Sequence, residues 1–254
     1  MNNYLKEAFE KTKIAGSVAA GALNEISKII KPGISTNEID KICYEYINDN
    51  KAYSAPLFYR GFPKSCCTST NHVVCHGIPS DKVLKEGDIV NVDVTAFKDG
   101  WHGDTSRMFK IGEISIKAEK LINTTYEAMM KAINIVKDGI HLGDIGSIIQ
   151  QHVELKGFSV VQDFCGHGIG ERFHKEPNVL HYGEKGTGEK IKTGMIFTIE
   201  PMINLGNYET KTLNDGWTAV TKDKSLSAQF EHTIGVTNNG CEVFTQSNNT
   251  NLIL

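Results

Sequence analysis

The stretch Asp88-Ile-Val-Asn-Val-Asp93-Val-Thr-Ala-Phe-Lys98-Asp99-Gly100-Trp-His-Gly-Asp104-Thr-Ser-Arg-Met-Phe-Lys110 decides the fold. Residues 88–97 are rich in β-branched side chains and read as a strand. Lys98-Asp99-Gly100 is a hairpin turn signal, and residues 101–110 return as the partner strand. Counting back from the turn puts Asp93 and Asp104 near-opposite each other on one face. Directly opposed like charges destabilise a hairpin. A sequence that sets two carboxylates there needs them, unless one points to solvent from an edge strand. The apolar neighbours Val90, Val92, Val94, Met108 and Phe109 argue against solvent.

Outward from the hairpin, helices alternate with strands. Residues from about 4 to 30 carry Leu5, Ala8, Phe9, Thr12, Ala15, Val18, Ala19 and Ala22 at helical spacing, and Lys31-Pro32-Gly33 ends that run. Ser35 with Glu38 three residues later makes a capping box. A second helix is expected from there to about Asp49, burying Ile39, Ile42, Cys43, Tyr46 and Ile47. Tyr53 to Pro79 reads as short strands and loops. Further helices are expected at about 116–137 and 143–156, separated by Asp138-Gly139. Strands follow near 158–164, 195–203, 217–222 and 229–237. The pattern predicts a pseudo-repeated α+β domain in one piece, residues 1–254. The polar tail from Ser247 to Asn251 reads as a fraying terminus.

Three more charged or imidazole groups sit in contexts like those of Asp93 and Asp104. They are His167 (Gly-His-Gly-Ile-Gly), Glu200 (Thr-Ile-Glu-Pro-Met) and Glu231 (Gln-Phe-Glu-His-Thr). Glycines on both sides of His167 allow close approach. Glu200 is a carboxylate within an apolar strand, costly unless paired or metal-bound. The other reading for it is a buried ion pair. His232 is adjacent to Glu231 and therefore points to the opposite face. Four carboxylates cannot gather unaided, since like charges at 4 Å repel by roughly 4 kcal/mol at an effective dielectric of 20. Either some stay protonated or cations neutralise them. Four negative ligands and one imidazole suit two divalent cations, as in two-metal hydrolases (aminopeptidases among them), whose ions sit roughly 3.5–4 Å apart. Two further histidines stay open on spacing alone. His76 reads as structural or catalytic. His174, seven residues after His167, reads more readily as structural. The glycine-rich run Gly183 to Lys190 has Glu189 where a phosphate loop needs Lys, so it reads as a flexible loop.

Bulk properties narrow the class. The net charge of −3 argues against a general nucleic-acid binder. The longest apolar stretches are about ten residues, too short for a bilayer span. The N-terminal residues lack the basic and apolar regions of a secretory signal, which points to the cytoplasm. Six cysteines without a C-x-x-C pair are expected as free thiols.

Together these motifs resemble the type I methionine aminopeptidases, which have the pita-bread fold. The resemblance runs from the N-terminal helix to about Phe244 and is strongest at 62–65, 71–79, 92–109, 166–177, 197–202 and 228–233. It implies a dinuclear metallopeptidase that removes the initiator methionine from nascent chains when the second residue is small. Asp93 would chelate the first metal, Asp104 and Glu231 would bridge, and His167 and Glu200 would bind the second. Glu200 would also shuttle the proton. His76 and His174 match the substrate-binding histidines, and His174 would stabilise the tetrahedral oxygen. Tyr59, Phe62, Cys67, Phe173 and Trp217 match the methionine pocket, with Cys75 behind His76. The carbonyls of Asn71 and Val73, with Ser227, match a peripheral Na or K site. Carboxylate and imidazole ligands accept Mn, Fe, Co, Ni or Zn. Phe62 stands where some members carry Tyr, and Pro56 where others carry Cys. Transient ribosome contact, no membrane and a monomer complete the expectation.

Two rival readings stand against this one. Proline-specific aminopeptidases and dipeptidases of this fold usually carry an extra N-terminal domain, and a first ligand at residue 93 leaves no space for one. Non-catalytic binding proteins on this scaffold lose metal ligands, whereas all five are present here. Type II methionine aminopeptidases carry a long insertion, for which the 26-residue step from His174 to Glu200 leaves no room.

Overall fold

The computed structural model describes residues 2–247. The tail expected to fray lies, beyond Ser247, outside them. The chain opens with helices α1 (Asn3–Ile29) and α2 (Thr36–Asp49), followed by the short strands β1 (Tyr53–Ser54), β2 (Cys67–Thr70) and β3 (Val73–Cys75). The long hairpin β4 (Ile89–Lys98) and β5 (Trp101–Lys110) follows, then α3 (Ile116–Ile135) and α4 (Leu142–Leu155). The second half runs through β6 (Ser159–Val160), β7 (Gly166–Gly168), β8 (Lys175–Val179), β9 (Ile196–Ile199) and β10 (Met202–Asn204). It closes with β11 (Thr210–Thr212), β12 (Ala219–Thr221), β13 (Ser227–Gln229), β14 (Glu231–Thr237) and β15 (Gly240–Val243).

Local signals in the sequence set these boundaries. The Ser35–Glu38 capping box forms in both directions at the start of α2. The β4–β5 turn is the two-residue Asp99-Gly100, with φ of 50° and 87°, the left-handed pair that suits the twist of a hairpin. Gly139, at φ 93°, separates α3 from α4.

The main sheet has the order β1-β4-β5-β14-β9-β7-β8, with β2 added on β4 and β15 on β14. One face of the hairpin turns to α1 and α2: Val90, Val92, Val94 and Phe109 pack with Val18, Leu23, Ile26, Ile39 and Ile47. In the other half, Phe197, Ile199, Ile234 and Val236 pack with Leu121, Met129, Ile133, Ile145 and Ile149 of α3 and α4. Two helix pairs thus cover two halves of one sheet, which is the pita-bread arrangement. The free thiols are as expected: all six cysteines are unpaired.

Three expected strands come out differently. The run expected at 195–203 is two strands, interrupted at Glu200-Pro201, and the run at 229–237 is likewise split at Phe230. Near 158–164 only Ser159–Val160 pairs. The first two breaks have one cause. Ile199 pairs with His232, and Met202 with Gln229, so the register runs on across the gap and sets Glu200 opposite Glu231. Two carboxylates facing each other, next to a proline that has no N–H to donate, interrupt the ladder there. The Gly183–Lys190 loop is not free either: Asp144 and Gln150 of α4 accept the Gly186 and Gly183 N–H groups.

Candidate active site

Each of five adjacent strands, in the order β4-β5-β14-β9-β7, brings one of the predicted ligands: Asp93, Asp104, Glu231, Glu200 (at the end of β9) and His167. They lie in two rows on the face away from α1 and α2. In the first row Cys67 pairs with Asp93, Asp93 with Ser106, and Ser106 with Glu231. In the second, Asp104 pairs with Thr95, and Thr233 with Thr198. Asp93 and Asp104 are therefore diagonal rather than directly opposite, each facing a hydroxyl residue. The shared face expected from the turn is met, whereas the direct opposition behind the charge argument is not.

Threonine hydroxyls fix the ligands. Thr95 donates to Asp104 Oδ1 at 2.6 Å. Thr233 accepts the Asp104 N–H at 3.0 Å and donates to its carbonyl at 2.8 Å. Thr198 accepts the His167 N–H at 3.0 Å and donates to Glu200 Oε1 at 2.7 Å. His167 Nδ1 lies 3.1 Å from the Gly168 carbonyl, which fixes the tautomer and leaves the Nε2 lone pair for a ligand. Nε2 is 3.6 Å from Asp104 Oδ2 and 3.7 Å from Glu200 Oε1.

The cluster is electrostatically unfinished without cations. Ligand atoms of Asp104, His167 and Glu231 lie within 4.8 Å of one another, all buried. Asp93 Oδ1 and Glu231 Oε1 are buried with no hydrogen-bond donor. Burial, then Asp104 and Glu200, push Asp93 well above the usual carboxylate range. Burial, then the other three carboxylates, do the same to Glu231. Burial lifts Glu200 to about 7 against the pull of His167 and Thr198. For His167 burial disfavours the proton, but Asp104 and Glu200 outweigh it and raise the pKa. Orphaned acceptors and a hard O/N donor set fit divalent cations, whose charge would reverse these shifts.

The cluster forms the floor of a cavity of about 620 Å³. The predicted pocket residues Tyr59, Phe62, Cys67, Phe173 and Trp217 all line it, as do His76 and His174. Sequence spacing left the two histidines open, and the fold brings both in. The His174 ring lies 4.2 Å from that of His167, and its Nδ1 is 3.0 Å from the Tyr59 hydroxyl. Burial, then His167, lower His174 to about 4, so it is neutral. His76 is held at φ 55°, a strained conformation for a non-glycine residue, with its ring edge-on to Phe164 and Trp217.

A model of metallopeptidase family M24 matches residues 10–238. The chain belongs to metallopeptidase family M24. Within this family the M24 chain is 56% identical to the methionine aminopeptidase of Rickettsia prowazekii, over 96% of this chain and 95% of that one. It is 56% identical to the methionine aminopeptidase of Escherichia coli K12, over 94% and 91%. The crystal structure of the Rickettsia prowazekii enzyme superposes with a TM-score of 0.94, covering 95% of this chain and 98% of that one. A prolidase from Pyrococcus furiosus, 23% identical, shares the fold with a TM-score of 0.77, and the match covers 65% of it.

Sequence reasoning missed the residues of the M24 chain that hold the predicted ligands in place. Thr95, Thr198 and Thr233 were legible in part, since period-two counting from Asp93 reaches Thr95. Gln229, whose Nε2 donates to Glu200 Oε2 at 3.4 Å, and Phe164 carry no signal of their own. His181, whose Nε2 accepts the Glu200 N–H at 3.1 Å, is another.

Proposed function

We propose that this chain removes the N-terminal methionine from nascent proteins and peptides whose second residue is small, by hydrolysing the first peptide bond. The observation that carries this is a carboxylate–imidazole cluster at the floor of a cavity walled by aromatic rings and thiols. The names of the relatives agree with it.

Asp93, Asp104, His167, Glu200 and Glu231 would hold two divalent cations, with Asp104 and Glu231 bridging. Bound there, such ions activate water near neutral pH and polarise a carbonyl. The remaining work falls to the chain. Glu200, whose carboxylate faces the cavity beside His167, is suited to take a proton from water and pass it to the leaving amine. His174 is neutral. With the Tyr59 hydroxyl donating to Nδ1, its Nε2 carries the proton and can donate to the oxygen of the tetrahedral intermediate. His76 completes the binding of the substrate main chain. Tyr59, Phe62, Cys67, Phe173 and Trp217 enclose the thioether, where each sulfur–ring contact contributes about 0.3–1.5 kcal/mol. Cys67 and Cys75 stay thiols, because burial pushes both well up.

A monovalent cation (Na or K) at Asn71, Val73 and Ser227 is supported by the Asn71 carbonyl, which accepts the Ser227 N–H at 2.8 Å and so joins the two segments. Transient ribosome contact is supported by Lys82, Lys211 and Lys224, whose charges gather around His72. We read residues 1–254 as one catalytic domain acting as a cytoplasmic monomer. No helix of the described residues is long and apolar enough to cross a membrane. A metal-titrated assay on Met-Ala-Ser, scored for free methionine, tests the proposal. Turnover that rises with added dication is expected. Faster cleavage of an X-Pro peptide, or no free methionine at any metal concentration, would overturn it.

A further inference from the structure

Glu200 stands where β9 has ended and β10 has not begun, and Pro201 after it has no N–H. No strand partner takes the Glu200 N–H. Its side chain is held by Thr198 and Gln229, but those bonds alone would let the main chain swing. The acceptor is an imidazole instead. His181 lies just beyond β8, is fully buried, and takes the Glu200 N–H on Nε2 at 3.1 Å. A ring that accepts on Nε2 must be neutral and carry its proton on Nδ1. That Nδ1 has no protein hydrogen-bond partner among the described residues, so the ring's one protein hydrogen bond is the one to Glu200. A buried polar atom with no protein partner costs about 1–3 kcal/mol. Apolar packing would fill the same space without that cost.

We infer that His181 is a positioning residue: a neutral imidazole that replaces a missing strand partner and fixes the main chain at Glu200. The inference rests on the role given above to Glu200. It places no part of His181 on substrate or metal. Thr198 and His181 act as complementary holds, one on the carboxylate and one on the amide, so the carboxylate keeps its direction towards His167 where the strand pairing is interrupted.

The first test needs no substitution. In ¹⁵N-labelled protein, His181 should show a protonated Nδ1, an unprotonated Nε2, and a coupling from Nε2 across the hydrogen bond to the Glu200 amide. A protonated Nε2 would overturn the inference. The second test compares His181→Met, which keeps bulk, with His181→Gln, which keeps an acceptor. In His181→Met the Glu200 amide should exchange at least about tenfold faster. Its kcat on Met-Ala-Ser should fall about 10–100-fold, with KM within about twofold. His181→Gln should recover most of both. A folded His181→Met with unchanged kcat and unchanged exchange would sink the inference. So would a folded His181→Gln that behaves like His181→Met. Glu200→Gln serves as the separate control: if it turns over normally, the role of Glu200 is wrong, whatever His181 does.

Discussion

The carboxylates of the cluster differ in their neighbours. Asp104 is bonded through its carboxylate to Thr95 and through its main chain to Thr233, which leaves Oδ2 facing His167. Asp104→Asn keeps the shape and the threonine contacts but removes a charge that, on the proposed reading, two ions would share. It should abolish hydrolysis of Met-Gly-Met-Met while circular dichroism stays unchanged, and near-normal turnover would refute a bridging role. His174 is held by Tyr59 and Phe173 and offers no charge, so His174→Ala should lower kcat far more than bound metal. Equal loss of both, by metal analysis beside kinetics, would make it a ligand instead. Protonation gives a third prediction. Glu200 has its pKa raised by folding, from 4.5 to about 7. A carboxylate raised in this way favours the folded, metal-free protein fully below about pH 4.5, and that contribution is lost as pH climbs through about 7. Cations must displace those protons. Manganese affinity should therefore fall as pH drops through about 7, and calorimetry in buffers of different ionisation enthalpy should show protons released on binding.

Among the elements, the β4–β5 hairpin carries the greatest demands. One face carries Asp93 and Asp104; the other lies against α1. The main chains approach closely at Gly103, where an added Cβ would come within 2.2 Å of the Gly16 nitrogen. Both are main-chain positions, so neither can rotate away. Gly103→Ala should force α1 off the sheet and cost about 1–3 kcal/mol, read as a lower urea midpoint. A midpoint within error of wild type would mean α1 can shift freely. Both strands of the hairpin were legible because alternation and a two-residue turn are local signals. The break at Glu200-Pro201 was legible only in part, because Pro201 is a local signal but the facing Glu231 belongs to a strand far along the chain. The same reason hid the split at Phe230.

For the molecule as a whole, the sheet concentrates the carboxylates of four strands at one point beside the imidazole of a fifth, and folding must accept that cost. Bound cations remove it, so metal should stabilise the fold as well as the chemistry. Manganese at a hundredfold excess over its Kd should add about 2.7 kcal/mol, visible as a higher Tm, and a chelator should reverse the shift. A Tm indifferent to metal would mean the carboxylates are accommodated by protonation alone. By itself the sequence determined the helices, the central hairpin, the five acid and imidazole side chains that gather in the cluster and the class of chemistry, because each rests on short-range spacing or on a residue type that is costly to bury without purpose. Only the tertiary structure decided which strands are neighbours, that His76 and His174 reach the same cavity, and that threonines and His181 stand behind the acids. Those facts depend on strand order and register between segments far apart in the chain, and no local pattern of polarity encodes them.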